Sequence, residues 1–130
     1  MSNITITNID NSNVILRDAE FEDSLIEDPG AADTYVDGTI MARLTANNKL
    51  VPFDPVGAGG AEIPNRILTY DIDLAGGADV PARTAISGYF RREKLIIDGG
   101  GTVTQAIVDQ LRDADLVAVS VKELNIQDNQ

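Results

Sequence analysis

Twenty-one Asp and Glu side chains are the groups in this sequence that could do chemistry, since it contains neither histidine nor cysteine. Two carboxyl groups at a suitable separation are enough to hydrolyse a glycosidic bond, one donating a proton and the other activating water or attacking carbon. No spacing singles out such a pair, and so many acids produce chance neighbours. We therefore predict no catalytic residue and a protein that is not an enzyme, with a carboxylate-dependent enzyme subunit kept as an alternative.

Two segments partly match ligand-binding loops. Residues 71–76 carry acids at loop positions 1 and 3 and glycine at position 6 of a calcium loop, but Ala75 and Ala82 stand at positions 5 and 12. Residues 99–101 are glycines at the start of a helical pattern, without the spacing or the lysine of a phosphate loop. The sequence therefore predicts no metal and no cofactor.

The charge balance restricts the partners. Ten Lys and Arg side chains against 21 acids give a net charge of −11, and such a field repels phosphate. Nucleic acid is therefore not a predicted partner. The N-terminus lacks the basic and apolar regions of a signal peptide, and no stretch approaches the roughly 20 apolar residues that span a bilayer. We expect a chain made in the cytoplasm with no membrane association.

Short β-type runs separated by turn residues predict one mainly β (α+β) domain over residues 14–126. Pro52 cannot donate to a strand ladder, so its strand is predicted to lie at an edge or to end there. Gly88 is predicted at a bulge. The predicted strands cover residues 14–16, 39–44, 49–53, 67–72, 80–86 and 116–121.

One helix is predicted in the C-terminal half. Val103, Ile107 and Leu111 recur at helical spacing within residues 102–114. Thr102 or Thr104 can cap its first turn.

Residues 1–13 are predicted to form a flexible N-terminal arm. Ile4, Thr5, Ile6 and Thr7 have β propensity but are too few for a stable strand without a partner edge. They are candidate partner-binding residues, and a frayed end without a role is the alternative. Residues 127–130 are predicted to be a polar tail.

Three of the ten bases, Arg91, Arg92 and Lys94, follow the Gly88-Tyr89-Phe90 step. A basic spot on an acidic protein could pair with acids of a partner or of a sister subunit. Ordinary solvated charges at a strand end are the alternative.

The order of four motifs resembles the bacteriophage head decoration proteins typified by lambda D. The matching segments are residues 38–41 (GTIM), 49–55 (KLVPFDP), 67–73 (ILTYDID) and 80–90, which begins Val-Pro and ends Gly-Tyr-Phe. Asn65 and Arg66 depart from the small residue and glycine that the family has before the third motif.

The resemblance implies a small β-barrel-like or β-tulip domain with a short helix, forming homotrimers on the outer surface of an expanded phage head at its three-fold positions. It implies that the protein contacts the major capsid protein, stabilises the shell, and is part of the virion after synthesis in the host cytoplasm. It also implies an arm that orders by pairing with a capsid-protein strand. Both Ile4 with Ile6 and residues 14–16 are candidates for that pairing.

A small acidic adaptor, such as a lipoyl-like carrier, is a further alternative. It would need a lysine at an exposed hairpin tip, and Lys49 follows the predicted turn at Asn47 and Asn48. The residues around Lys49 do not resemble a lipoyl site.

Overall fold

The computed structural model describes residues 14–120. The predicted arm and tail, and residues 121–126 of the predicted domain, lie outside them. The strands are β1 Ile15–Ile26, β2 Asp33–Tyr35, β3 Ile40–Arg43, β4 Leu50–Pro52, β5 Pro64–Ile67, β6 Ile72–Leu74, β7 Val80–Arg91 and β8 Leu116–Val119; a 3-10 helix covers Arg92–Lys94 and helix α1 covers Gln105–Asp113.

Five strands close into a barrel. They are hydrogen-bonded in the order β1-β4-β3-β5-β7, and β1 pairs back onto β7 along most of its length. β8 pairs in parallel with the last four residues of β7, and β2 with β6 forms a separate two-stranded sheet. The structure is 44% strand and 11% helix, so the predicted mainly β, barrel-like fold is confirmed.

The core has two clusters, one on each face of β3. Ile40 and Ala42 pack into the cluster that includes α1, whereas Met41 packs into the cluster that includes β2 and β6. All three are fully buried. A strand that is apolar at successive positions is therefore explained by burial on both faces.

The helix begins later than its pattern suggested. Thr104 is the N-cap, and its hydroxyl accepts a hydrogen bond from the Ile107 N–H at 3.3 Å. Ile107 and Leu111 lie on the buried face with Val108, as the helical spacing predicted, whereas Val103 precedes the helix. The cap choice left open between the two threonines is therefore settled for Thr104.

The predicted strand over residues 67–72 is wrong. β5 ends at Ile67 and β6 begins at Ile72. Leu68 turns onto the β2–β3 connection, where its N–H donates to the Thr39 carbonyl. Because residues 68–71 do not pair with β7 as a strand, the Arg83 N–H of β7 needs another acceptor. It donates to the Tyr70 hydroxyl at 3.0 Å.

Candidate functional site: the arm end of the barrel and its exposed surfaces

The described chain begins at a buried residue that is bonded to β7. Val14 is fully buried, and its carbonyl accepts a hydrogen bond from the Arg91 N–H at 2.8 Å. The next residue, Ile15, lies opposite Phe90 at the start of the β1–β7 ladder. Ile4, Thr5, Ile6 and Thr7 lie outside the described residues, so their binding role stays a prediction.

The other end of the described chain lies beside the first. Val119, the last residue of β8, is paired with Arg91, and the Ser120 hydroxyl donates to Glu93 Oε2 at 2.9 Å. Val14 and Ser120, the first and last described residues, therefore lie at the same end of β7. We call this region the arm end.

The predicted basic spot is not one surface patch. Arg91 is 4% exposed within β7, and Arg92 donates to the Gln105 side chain at 3.0 Å and to the Val103 carbonyl at 3.3 Å. Lys94 is exposed. These bases are close in sequence, but their side chains lie in different surroundings. Their contact role stays a prediction.

Exposed Arg17 and half-buried Tyr89 form a pair at the arm end that the sequence analysis did not single out. The Arg17 guanidinium lies 4.2 Å from the centre of the Tyr89 ring, a cation–π distance. Arg17 lies opposite Tyr89, and the β1–β7 register shifts over the next residues of β1, opposite Gly88. The predicted bulge at Gly88 thus coincides with the point where this pair is presented.

A second exposed surface lies on β1, β7 and the segment between β5 and β6. Leu25 is 46% exposed and faces Pro81 across the ladder, and Tyr70, 44% exposed, reaches the backbone of Arg83. We call Leu25, Tyr70, Pro81 and Arg83 the Leu25 patch. Tyr and Arg beside apolar side chains are typical of protein–protein contact sites.

One cavity combines acidic and apolar groups. It encloses about 460 Å³ between residues 52–56 and 97–100, and Asp54, Val56 and Asp98 are among its lining residues. Partial burial, and then the charge of Asp33, raise the pKa of the Asp98 carboxyl. Val56 is 92% exposed beside it. A second cavity of about 390 Å³ lies at the arm end between Arg92, Glu93 and Ser120.

A pair of facing carboxylates joins the β2–β3 turn to the β5–β6 segment. The Asp37 N–H donates to Asp71 Oδ1 at 2.8 Å. Burial, followed by the charge of Asp71, raises the pKa of the Asp37 carboxyl, and Lys94 acts in the opposite direction. Oδ1 of Asp37 is buried and accepts no hydrogen bond within the described residues. Ionised Asp37 is thus poorly compensated.

The acids of the partial calcium loop have structural partners. Asp71 accepts from Asp37, and Asp73 accepts from the Thr34 hydroxyl at 2.8 Å. Both contacts join the β2 region to the β6 region. Within residues 14–120, no three metal-ligating side chains are grouped so as to hold an ion.

Lys49 is not a free lysine at a hairpin tip. Its Nζ pairs with Asp79 Oδ2 at 2.6 Å, and the two side chains are 32% and 26% exposed. The hydrogen bond to Asp79 raises the pKa of Lys49 and lowers that of Asp79. A carrier role that needs an accessible lysine is disfavoured by this pairing.

None of the helices within residues 14–120 has the length and apolar character that a membrane crossing requires.

Compared with known proteins, the chain matches no protein-family model and no curated protein sequence.

Proposed function

We propose that this protein decorates the outside of an expanded phage head, binding as a homotrimer at three-fold positions and stabilising the shell. The single observation that carries the proposal is the buried attachment of Val14 at the end of β7. An arm that starts from a closed barrel at a fixed point can reach a neighbouring protein while the barrel stays rigid. A rigid base lowers the entropy lost on binding.

The arm sequence suits strand addition to a partner sheet. Ile4 and Ile6 alternate with Thr5 and Thr7, so main-chain hydrogen bonds would give affinity and the isoleucines would fill pockets on one face. Ordering about ten residues costs on the order of 10 kcal/mol of backbone entropy, which only partner contacts can offset. Three arms on one trimer would raise avidity by about 10²- to 10⁴-fold over one arm.

Co-sedimentation with expanded phage shells that lack their own decoration protein tests this proposal. We expect the full chain to bind saturably in threes, and a variant lacking residues 2–12 to bind at least about 10²-fold more weakly. A double variant with Ile4→Ser and Ile6→Ser should follow the deletion, whereas Thr5→Ser with Thr7→Ser should bind as the full chain does. Equal binding of the deletion would rule out the arm mechanism, and no binding to any shell would reject decoration.

The Leu25 patch is our candidate for contact between copies. Introducing a charge with Leu25→Glu should convert the trimer to monomers in sedimentation velocity, because a buried unpaired charge is costly. Val56→Glu is the matched control, since Val56 is also exposed but lies outside the patch. Trimers that survive Leu25→Glu but not Val56→Glu would place the contact at the other surface.

The cavity with Asp54 and Asp98 is the observation that favours the alternative, a carboxylate-dependent enzyme. Two acids share the cavity, and the pKa of Asp98 is raised as a proton donor requires. Release of a chromophore from a panel of aryl glycosides, abolished by Asp98→Asn and by Asp54→Asn, would support it. Absence of release with an intact fold would remove glycosidase chemistry from consideration.

A further inference from the structure

The chain contains two Asp-Gly dipeptides in opposite surroundings. Asp98-Gly99 occupies the centre of a tight turn, which the Gly100 N–H closes by donating to the Ile97 carbonyl at 3.0 Å. Gly99 has φ +86, the value that a type II turn requires of its third residue. Asp37-Gly38, in contrast, lies at the crowded junction between β2 and β3.

The Gly99 amide nitrogen is accessible for attack on the Asp98 side chain. It makes no hydrogen bond within the described residues, Gly99 is exposed, and an added Cβ there would meet nothing within 4 Å. The Gly38 amide donates to the Leu68 carbonyl at 2.8 Å, and Gly38 is buried against the Lys94 carbonyl. No hydrogen bond of the glycine amide therefore opposes rotation towards the aspartyl side chain at the first site, whereas one does at the second.

We propose that Asp98-Gly99 is a site of spontaneous aspartyl rearrangement in the folded protein, and that Asp37-Gly38 is protected from it. The Gly99 nitrogen attacks Asp98 Cγ and forms an N–Cγ bond. The Cγ–OH bond breaks, and the hydroxyl leaves with the amide proton as water, giving a cyclic succinimide. Water then opens the ring at either carbonyl, giving aspartate again or an isoaspartyl linkage through Cγ.

The carboxyl group at this position suits the reaction. Partial burial and the neighbouring Asp33 raise the Asp98 pKa, so more of the carboxyl group is neutral, and a neutral acid loses hydroxyl more readily than a carboxylate. The linkage would add one main-chain atom between buried Ile97 and α1. The glycines at 100 and 101 can absorb it, so the barrel keeps its fold while the carboxylate moves in the cavity.

Ageing the full chain at physiological pH and temperature tests the proposal. Tryptic cleavage separates the two sites into residues 18–43 and 95–112, and electron-transfer fragmentation distinguishes aspartyl from isoaspartyl linkages in each. We expect isoaspartate to accumulate at position 98 at least about tenfold faster than at position 37, since the Gly38 bond and its burial must first be broken. In concentrated urea the two rates should become similar.

Asp98→Glu keeps the charge but would require a six-membered ring, so we expect it to remove the product from residues 95–112 without changing the other peptide. Equal native rates at the two sites would overturn the proposal. So would isoaspartate at position 98 that appears in urea but not in the folded chain.

Discussion

The Asp37 backbone N–H donates to the Asp71 carboxylate, while Oδ1 of the Asp37 carboxylate has no hydrogen-bond partner among residues 14–120. Its pKa is raised, first by burial and then by Asp71. A raised folded-state pKa means that folding favours the protonated form. The stability that this group contributes is therefore present below its ordinary pKa of 3.8 and is lost as the pH rises through the folded-state value.

We therefore predict that Asp37→Asn stabilises the protein at neutral pH, by no more than about 1 kcal/mol because solvent partly screens the charge. Urea unfolding across pH measures this effect, and the gain should shrink towards zero in acid. Glu20→Gln on the exposed side of β1 removes the same unit of charge and is the control. An equal gain from Glu20→Gln would assign the effect to net charge instead of to the Asp37 site.

The bulge in β1 requires a glycine at position 88 of the neighbouring strand β7. Its φ is +130, and a Cβ there would lie 2.7 Å from the Ala19 Cα. We predict that Gly88→Ala costs about 1–2 kcal/mol for the backbone conformation and a further 1–3 kcal/mol or so for the clash. Gly77→Ala, at φ +94 with open space, should show the first cost alone in the same unfolding measurement. If the two variants lose equal free energy of unfolding, β1 moves away from the added methyl group at no energetic cost.

Arg91 shows why candidate contact residues are hard to choose from sequence. The run Arg91-Arg92-Glu93-Lys94 has the composition of a solvated strand end. Arg91 is buried because its strand has β1 on one side and β8 on the other, and both neighbours come from distant parts of the chain. Burial of this kind depends on tertiary pairing and leaves no local signal.

Among the elements, helix α1 depends on its first turn. It has nine residues, and isolated helices of that length are marginal in water. We predict that Thr104→Ala lowers the free energy of unfolding by about 1 kcal/mol, since the N-cap hydrogen bond is lost. Thr102→Ala is the control, because Thr102 is exposed and makes no side-chain hydrogen bond within the described residues. A larger loss at Thr102 would contradict the cap assignment.

Several element boundaries were predictable because proline and glycine mark them. β4 ends at Pro52, the glycines at 76 and 77 separate β6 from β7, and residues 99–101 precede α1. The break between Ile67 and Ile72 was not predictable, since the residues there favour a strand. The competing force is the tertiary bonding of Leu68 and Tyr70, which outweighs local propensity.

Sequence patterns could not predict that the barrel closes. β1 meets β7 with Ile26 opposite Val80 and Ile15 opposite Phe90, so the two longest strands pair across most of the domain. The sequence predicted strands over residues 14–16 and 80–86, only part of each, and the patterns there do not choose a neighbouring strand. The barrel itself was expected only through the resemblance to decoration proteins.

At the scale of the whole molecule, the net charge of −11 per chain opposes any assembly of identical copies. If the proposed trimer is held by apolar contacts such as those of the Leu25 patch, salt should strengthen it by screening the repulsion. The Debye length falls from about 30 Å at 0.01 M to about 10 Å at 0.1 M. At the higher salt concentration, repulsion between protomers is therefore limited to charges that lie close to the contact.

We therefore predict that sedimentation equilibrium at a series of sodium chloride concentrations will show the monomer–trimer equilibrium shifting towards trimer as salt rises through this range. A shift towards monomer would mean that ion pairs between copies, such as those exposed Lys94 could make, hold the trimer against the net repulsion. Lys94→Gln would then weaken assembly at low salt, and the contact would have to be reassigned from the Leu25 patch to a charged surface.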